Sequence, residues 1–318
     1  MMNNQIRAIV VDRSGPEPLA VRTMPLATPS PGEIAIRVTA ISLNRGEVKR
    51  AMTVTETGTV PGWDFAGVVE NAYGVANAPP TGARVVGLVP SGSWAERVHA
   101  PLNAIAIIPP EVSDAQAASL PVAGLTALHA LRRGGLVLGR KVLVDGATGG
   151  VGHFAIQLAA ASGAEVYAQV RKPDQRALVA DAGAGAVIVG DTLESARPSG
   201  PFDLILDSVG GPSLAAALTM LSRNGLCVTF GASAGEPVSF DSAAFFRASG
   251  TSLQSLILGD DIAATEPASG GLALLLKLVA AGRLRPAIGL EADWTDIGAV
   301  ADKLLTRGFA GKAVLYVR

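Results

Sequence analysis

Four glycines fall within one short stretch, Asp145-Gly-Ala-Thr-Gly-Gly-Val-Gly152. The run before them, Val142 to Val144, has the length and branching of a buried strand. After them Val151, Ala155, Leu158 and Ala159 recur at helical spacing. A strand, a glycine turn and a helix start are the parts of a phosphate-binding loop. The glycines let the backbone turn tightly and approach a pyrophosphate, and the helix N-terminus offers unpaired N–H groups and a positive dipole end. An ordinary glycine-rich turn is the alternative, but the flanking periodicities favour a dinucleotide. Gly146, Ala147, Thr148, Gly149, Gly150, Val151 and Gly152 are therefore the candidate cofactor-binding loop.

The residues about twenty positions further on choose between dinucleotides. An acid there would accept hydrogen bonds from a free ribose 2′-OH and favour NADH. This chain instead reads Val170-Arg171-Lys172-Pro173-Asp174-Gln175-Arg176. Arg171, Lys172 and Arg176 suit a 2′-phosphate, whereas Asp174 comes too late, behind Pro173. A solvated basic turn is the alternative, and the expectation is NADPH.

These loops need elements to hold them. The chain has 318 residues, of which 49% are hydrophobic and 17% charged, with a net charge of −1. That is ample for two domains and offers nothing for nucleic acid or an anionic membrane surface. The single Cys227 excludes an intramolecular disulfide and a thiolate-rich metal site, and it reads as a buried core residue. The N-terminus shows no apolar signal segment, and the apolar patch 272–281 is interrupted by Lys277, so a cytoplasmic protein is expected.

Residues 1–112 read as short strands at 6–11, 33–40, 65–70, 84–88 and 94–100. Turn signals such as Ser14-Gly-Pro and Pro79-Pro-Thr-Gly separate them, and one helical turn is expected at 44–52. This suggests a β-barrel-like domain. From Ser113 the pattern alternates. Helical spacing runs to 131, then strands are expected at 142–144, 165–170, 186–189, 202–207, 226–230 and 251–258, with helices at 173–182 and 212–222 between them. Such alternation implies a doubly wound parallel sheet. Helices are expected at 270–282 and 294–307, and a last strand at 312–317 that could return to the first domain.

Several motifs together resemble the zinc-free, quinone-oxidoreductase-like branch of the medium-chain dehydrogenase/reductase superfamily. They are Ser42-Leu-Asn-Arg-Gly-Glu-Val48, Pro61-Gly-Trp-Asp-Phe-Ala-Gly-Val-Val69, Ser91-Gly-Ser-Trp-Ala-Glu96, Ala117-Ala-Ser-Leu-Pro-Val-Ala-Gly-Leu-Thr-Ala-Leu-His-Ala-Leu131, Gly146–Gly152, Asp207-Ser-Val-Gly-Gly211, Phe230-Gly-Ala-Ser233 and Gly311-Lys-Ala-Val-Leu315. The resemblance implies an α/β fold with a GroES-like β-barrel domain (1–114 and 259–318) and a Rossmann domain (115–258). It also implies a homodimer and a small-molecule substrate. Where zinc-dependent relatives place a histidine this chain has Trp63, and His99, His129 and His153 lack ligand spacing, so no metal is expected.

Without a Lewis acid the remaining chemistry is hydride transfer from NADPH to a quinone or an α,β-unsaturated carbonyl, as in an enoyl reductase. The resemblance makes Asn44 a donor to substrate or cofactor, although it also fits a helix N-cap. Arg45 is a candidate for stabilising an oxyanion, with a surface arginine as the alternative. Trp63 and Glu47 are candidates for the substrate pocket; a core aromatic and a structural salt bridge are their plainer roles. Thr126 matches a nicotinamide contact, and Phe230, Gly231, Ala232 and Ser233 lie at the carboxyl end of a strand, where cofactors bind. Lys312 reads as a turn lysine. Relatives often carry a tyrosine just beyond Asn44; here Val48, Lys49 and Arg50 stand there, and the proton donor is left unassigned. A non-catalytic NADPH-binding protein and a zinc-free alcohol dehydrogenase are the alternatives.

Overall fold

The computed structural model describes residues 5–15 and 17–318. Met1 to Asn4, and Pro16 of the first turn signal, lie outside the described residues. In chain order the elements begin β1 (Gln5–Val11), β2 (Leu19–Pro25), β3 (Glu33–Leu43), α1 (Arg45–Thr53), β4 (Asp64–Asn71), β5 (Arg84–Leu88), β6 (Arg97–Pro101) and β7 (Ile105–Ile107). There follow α2 (Asp114–Ala118), α3 (Pro121–Arg133), β8 (Lys141–Val144), α4 (Gly150–Ala161), β9 (Glu165–Val170), α5 (Arg176–Asp181), β10 (Ala186–Val189), β11 (Phe202–Asp207), α6 (Gly211–Leu218) and β12 (Leu221–Thr229). The last are α7 (Ser242–Arg247), β13 (Ser252–Ser255), α8 (Leu258–Ala264), α9 (Ala268–Ala280), β14 (Ile288–Asp293), α10 (Ile297–Leu305) and β15 (Lys312–Tyr316).

The chain forms two compact units, Met1–Leu125 with Thr265–Arg318, and Thr126–Ala264. The division falls a little later than the composition shifts at 114 and 258. In the first unit the main sheet runs β14-β15-β3-β4-β5-β7, with β6 also on β3. Strand β3 organises it. Its residues 33–37 pair with β6 and its residues 40–43 with β15, while β4 follows the opposite edge. Two register shifts against β4 bend β3 between these partners. Ile34, Ile36, Ile41, Leu43, Phe65, Trp94 and Trp294 fill the core beneath it. The C-terminal strand therefore returns to the first unit and lays Lys312 beside the end of β3.

The second unit is a six-stranded parallel sheet of order β10-β9-β8-β11-β12-β13. Renumbered within the unit this is 3-2-1-4-5-6, the doubly wound dinucleotide-binding order, whose direction reverses between β8 and β11. The glycine loop follows β8, so it opens at that switch point.

The structure differs from the sequence reading in several elements. β2, β7 and β14 appear where none is predicted. In β14 the pattern is broken by Gly289, where a Cβ would stand 1.9 Å from the Ala310 carbonyl oxygen. The strand predicted over 251–258 shortens to β13, all of whose side chains are exposed, because α8 starts at Leu258 with Asp260 and Asp261 in its first turn. The helix predicted to 222 stops at Leu218. β12 begins at Leu221 and takes up Ser222 to Gly225 as an irregularity, with Asn224 at φ +59°. Among the described residues no single helix is long and apolar enough to cross a membrane.

Candidate active site

The second unit carries the phosphate loop. Gly146 turns at φ +73°, and a Cβ there would lie 2.2 Å from Ser208 Oγ. Gly152 sits in the first turn of α4, where a Cβ would come within 2.4 Å of the Gly146 carbonyl oxygen and 2.8 Å of Ala147 Cα. The helix start is thus pressed onto its own loop, a closeness only glycine permits. Gly149 caps α4 and brings no side-chain bond to the first-turn amides, which leaves them for a bound anion. Ala147 is buried and Thr148 and Val151 are half-buried. These features fit a pyrophosphate.

The neighbouring loops close around the same strand ends. A Cβ on Gly231 would lie 2.7 Å from the Ser208 carbonyl oxygen, and one on Gly210 would lie 3.2 Å from Ala232 Cα. The structure therefore brings Gly231 and Ala232, flanked by Phe230 and Ser233, to the loop that abuts Gly146. Arg171, Lys172 and Arg176 are exposed beyond β9, the strand beside β8. The Lys172 N–H donates to Gln175 Oε1, and Arg176 Nη1 reaches the Val187 carbonyl at 3.4 Å. Thr126 is buried on α3.

Two carboxyls beneath the loop, Asp145 and Asp207, carry no role in the sequence reading although both open motifs quoted there. Asp145 follows β8 directly and Asp207 is the last residue of β11, and both are buried. Asp145 Oδ2 accepts from Ser213 Oγ at 2.5 Å. Asp207 accepts from the Val209 and Gly210 N–H groups and from Thr229 Oγ1. Burial pushes Asp145 up to about 6, with the Ser213 bond opposing and the nearby Asp207 adding.

The first unit holds a buried polar cluster at the junction of β3, α1, β4 and β15. Asn44 caps α1, and its N–H donates to Glu47 Oε2 at 3.1 Å. Its Nδ2 donates to Asp64 Oδ2 at 2.9 Å, and its Oδ1 accepts from Lys312 Nζ at 2.6 Å. Lys312 Nζ also donates to the Leu43 carbonyl at 2.9 Å and reaches Asp64 Oδ2 at 3.4 Å. Asp64 Oδ1 accepts from the Val122 N–H at 3.0 Å, at the start of α3. Glu47 Oε1 accepts from the Trp63 N–H at 2.5 Å. Burial raises both carboxyls. Glu47 is pushed to about 8 by desolvation and then by the charge of Asp64, against the pull of Lys312 and the two backbone amides. Asp64 takes the ammonium directly, so it is the carboxyl that carries the charge.

Two sequence assignments change here. Lys312 is not a turn lysine: it is 3% exposed and is the cation of the cluster. Its only local signal was a lone charge opening an apolar strand. Arg45 does not join the cluster. Its Nη1 donates to the Leu304 and Leu305 carbonyls at 3.0 and 2.6 Å and so caps the end of α10. Trp63 is half-buried and, with Glu47, Arg50, Thr55, Glu56 and Ser91, lines a cavity of about 330 Å³ within this unit. Among the described residues no three His, Cys, Asp or Glu side chains gather as a metal-ligand set. His129 Nδ1 instead lies 2.6 Å from Asp261 Oδ2, and Cys227 is buried with its thiol pushed up by desolvation.

Comparison with known proteins agrees with this architecture. The zinc-binding dehydrogenase family model matches residues 150–273. The quinone oxidoreductase from Coxiella burnetii superposes with a TM-score of 0.84 at 27% identity, covering 99% of this chain and 100% of that one. The mycobacterial protein Rv1454c, solved in complex with NADPH, superposes with a TM-score of 0.85 at 26% identity, covering 98% and 100%. A mycocerosic acid synthase-like polyketide synthase of Mycobacterium tuberculosis is 35% identical over 214 residues, 64% of this chain and 10% of the relative. The chain thus spans about a tenth of the length of the curated relatives it matches. With the doubly wound sheet, the glycine loop at its switch point and whole-chain superposition on such enzymes, this chain belongs to the medium-chain dehydrogenase/reductase superfamily.

Proposed function

We propose that this protein is an NADPH-dependent, zinc-independent reductase that passes a hydride to a quinone or an α,β-unsaturated carbonyl. The observation that carries the reading is the Gly146–Gly152 loop, which glycine alone lets fold this tightly onto the start of α4, with no side-chain cap on the first-turn amides that would face a pyrophosphate. Arg171, Lys172 and Arg176 supply the cations for a 2′-phosphate, and Thr126 and Phe230 to Ser233 are the residues proposed beside the nicotinamide. NADPH, when bound, supplies the hydride. Trp63 stands where a zinc enzyme needs an imidazole, and Lys312 supplies the cation of the neighbouring cluster. The cavity beside Glu47 and Trp63 receives the acceptor. Asn44, held by Lys312, Asp64 and Glu47, positions that wall. The quinone oxidoreductase and polyketide synthase relatives support a conjugated carbonyl acceptor.

The test is NADPH consumption with a panel of quinones and enones, with and without a chelator, alongside dinucleotide binding by the R171A/K172A double variant. Turnover that survives chelation is expected. So is NADPH binding weakened about tenfold or more, with NADH binding unchanged. Tight NADPH binding with no acceptor reduced would make the protein a binding module. Reduction of NADP by simple alcohols would make it an alcohol dehydrogenase.

A further inference from the structure

Hydride addition to a conjugated carbonyl leaves an enolate that needs a proton, and the family's usual tyrosine is missing. The chain has three tyrosines, Tyr73, Tyr167 and Tyr316, and none lines the cavity. Three ionisable side chains do line it. Arg50 does not release its proton, and Glu56 is exposed to solvent. Glu47 is 2% exposed and forms part of the cavity wall.

We infer that Glu47 is the general acid of this reductase, a catalytic residue that protonates the enolate formed after hydride transfer. The inference rests on the reductase reading above. Its basis is geometric. Glu47 Oε2 accepts from the Asn44 backbone N–H and, at 3.4 Å, from its Nδ2, while Oε1 accepts only from the Trp63 N–H. One position on Oε1 is left for a proton. The cation that would hold Glu47 ionised is engaged elsewhere, because Lys312 on β15 bonds Asn44 and Asp64 on β4. A buried carboxyl without its own counter-ion, and with the charge of Asp64 nearby, keeps its proton at neutral pH. The upward displacement to about 8 agrees, and it places the group near the working pH, where general acids are most effective.

The step balances. Hydride adds to the β-carbon, and the C=C pair moves to form the enolate. The α-carbon then takes the proton as the Glu47 O–H bond breaks, and the carboxylate regains a proton from water. With a quinone the same proton goes to the hydroquinone oxygen. Either substrate gains two electrons as NADPH becomes NADP+.

Two measurements on the full chain test this. The first is an infrared pH titration without cofactor. The wild type is expected to show a carboxylic-acid C=O band at pH 7 that disappears near pH 8, and Glu47→Gln to lack it. The second is enone reduction in D2O. The wild type is expected to deuterate one face of the α-carbon. Glu47→Gln is expected to lose that selectivity, with kcat lower by about 10²- to 10⁴-fold. Glu47→Asp, which keeps the acid, should retain facial selectivity at a reduced rate, and it serves where the glutamine variant does not fold. An unchanged band in Glu47→Gln, or undiminished kcat and selectivity, would overturn the assignment alone. Absence of turnover in the wild type would overturn the reductase reading as well.

Discussion

Replacing Lys312 by methionine tests the buried cluster directly. The substitution keeps most of the volume and removes the ammonium. Three contacts go with it, to the Leu43 carbonyl, Asn44 Oδ1 and Asp64 Oδ2. Asp64 keeps its donors from Asn44 Nδ2 and the Val122 N–H, but it becomes a fully buried anion without a cation. Removing one member of a buried pair costs about 3–5 kcal/mol, most of it the uncompensated charge rather than the lost attraction. The loss should fall on the first unit, and a specific probe for it exists. All three tryptophans, Trp63, Trp94 and Trp294, lie in that unit, so tryptophan fluorescence during urea unfolding follows it alone. Asp64→Asn in the Lys312→Met background should restore about half the loss or more, since it deletes the stranded charge. The double-mutant cycle should then show a coupling of about 1–3 kcal/mol. A Lys312→Met cost below about 1 kcal/mol, or strictly additive variants, would mean that the cluster is solvated and the reasoning wrong.

Gly152→Ala should weaken NADPH binding by more than tenfold, measured by nucleotide fluorescence titration, because its Cβ has no room against the Gly146 carbonyl. Unchanged affinity would remove this loop from the cofactor site. Asp145 gives binding a pH dependence: it is neutral below about 6 and negative above, directly under the phosphate loop. NADPH affinity should therefore fall as pH rises from 5 to 7 in the wild type and stay flatter in Asp145→Asn, with isothermal titration as the readout. Glu47, raised to about 8, stabilises the first unit fully below its unfolded value near 4.5, and that stability is lost as pH rises through 8. Tryptophan-monitored urea midpoints should therefore drop from pH 5 to 8 in the wild type and less so in Glu47→Gln. Arg45→Ala should lower the first unit's stability by about 1 kcal/mol through the end of α10 while leaving kcat within about twofold; a large kcat loss would return Arg45 to the active site.

What was legible from the sequence follows from how local its cause is. Val142 to Val144, the glycines after it and the helical repeat from Val151 carry their instructions within about twenty residues, so β8, the loop and α4 could be read directly. The change of pattern at Ser113 is likewise local, and in the structure α2 starts there, with Ser113 and Gln116 bonding reciprocally at its cap. The buried cluster has no such signature. In sequence Asn44 fits both a helix cap and a donor to substrate or cofactor, and it does cap α1, but its amide is held by groups from two distant strands. Lys312 is 268 residues away, and only the pairing of Ala313 with Leu43 carries its ammonium to Asn44. A lysine at the head of an apolar strand reads as solvated until the partner strand is known, because the cost of burying it is met by atoms from elsewhere in the chain. Arg45 is the converse case: a charge beside a candidate catalytic residue whose partners, the carbonyls of Leu304 and Leu305, are also remote. The two reassignments share one cause. Both cations neutralise backbone or carboxyl groups brought together by the return of the C-terminal segment to β3, so the segment that completes the sheet also sets the charge of the site.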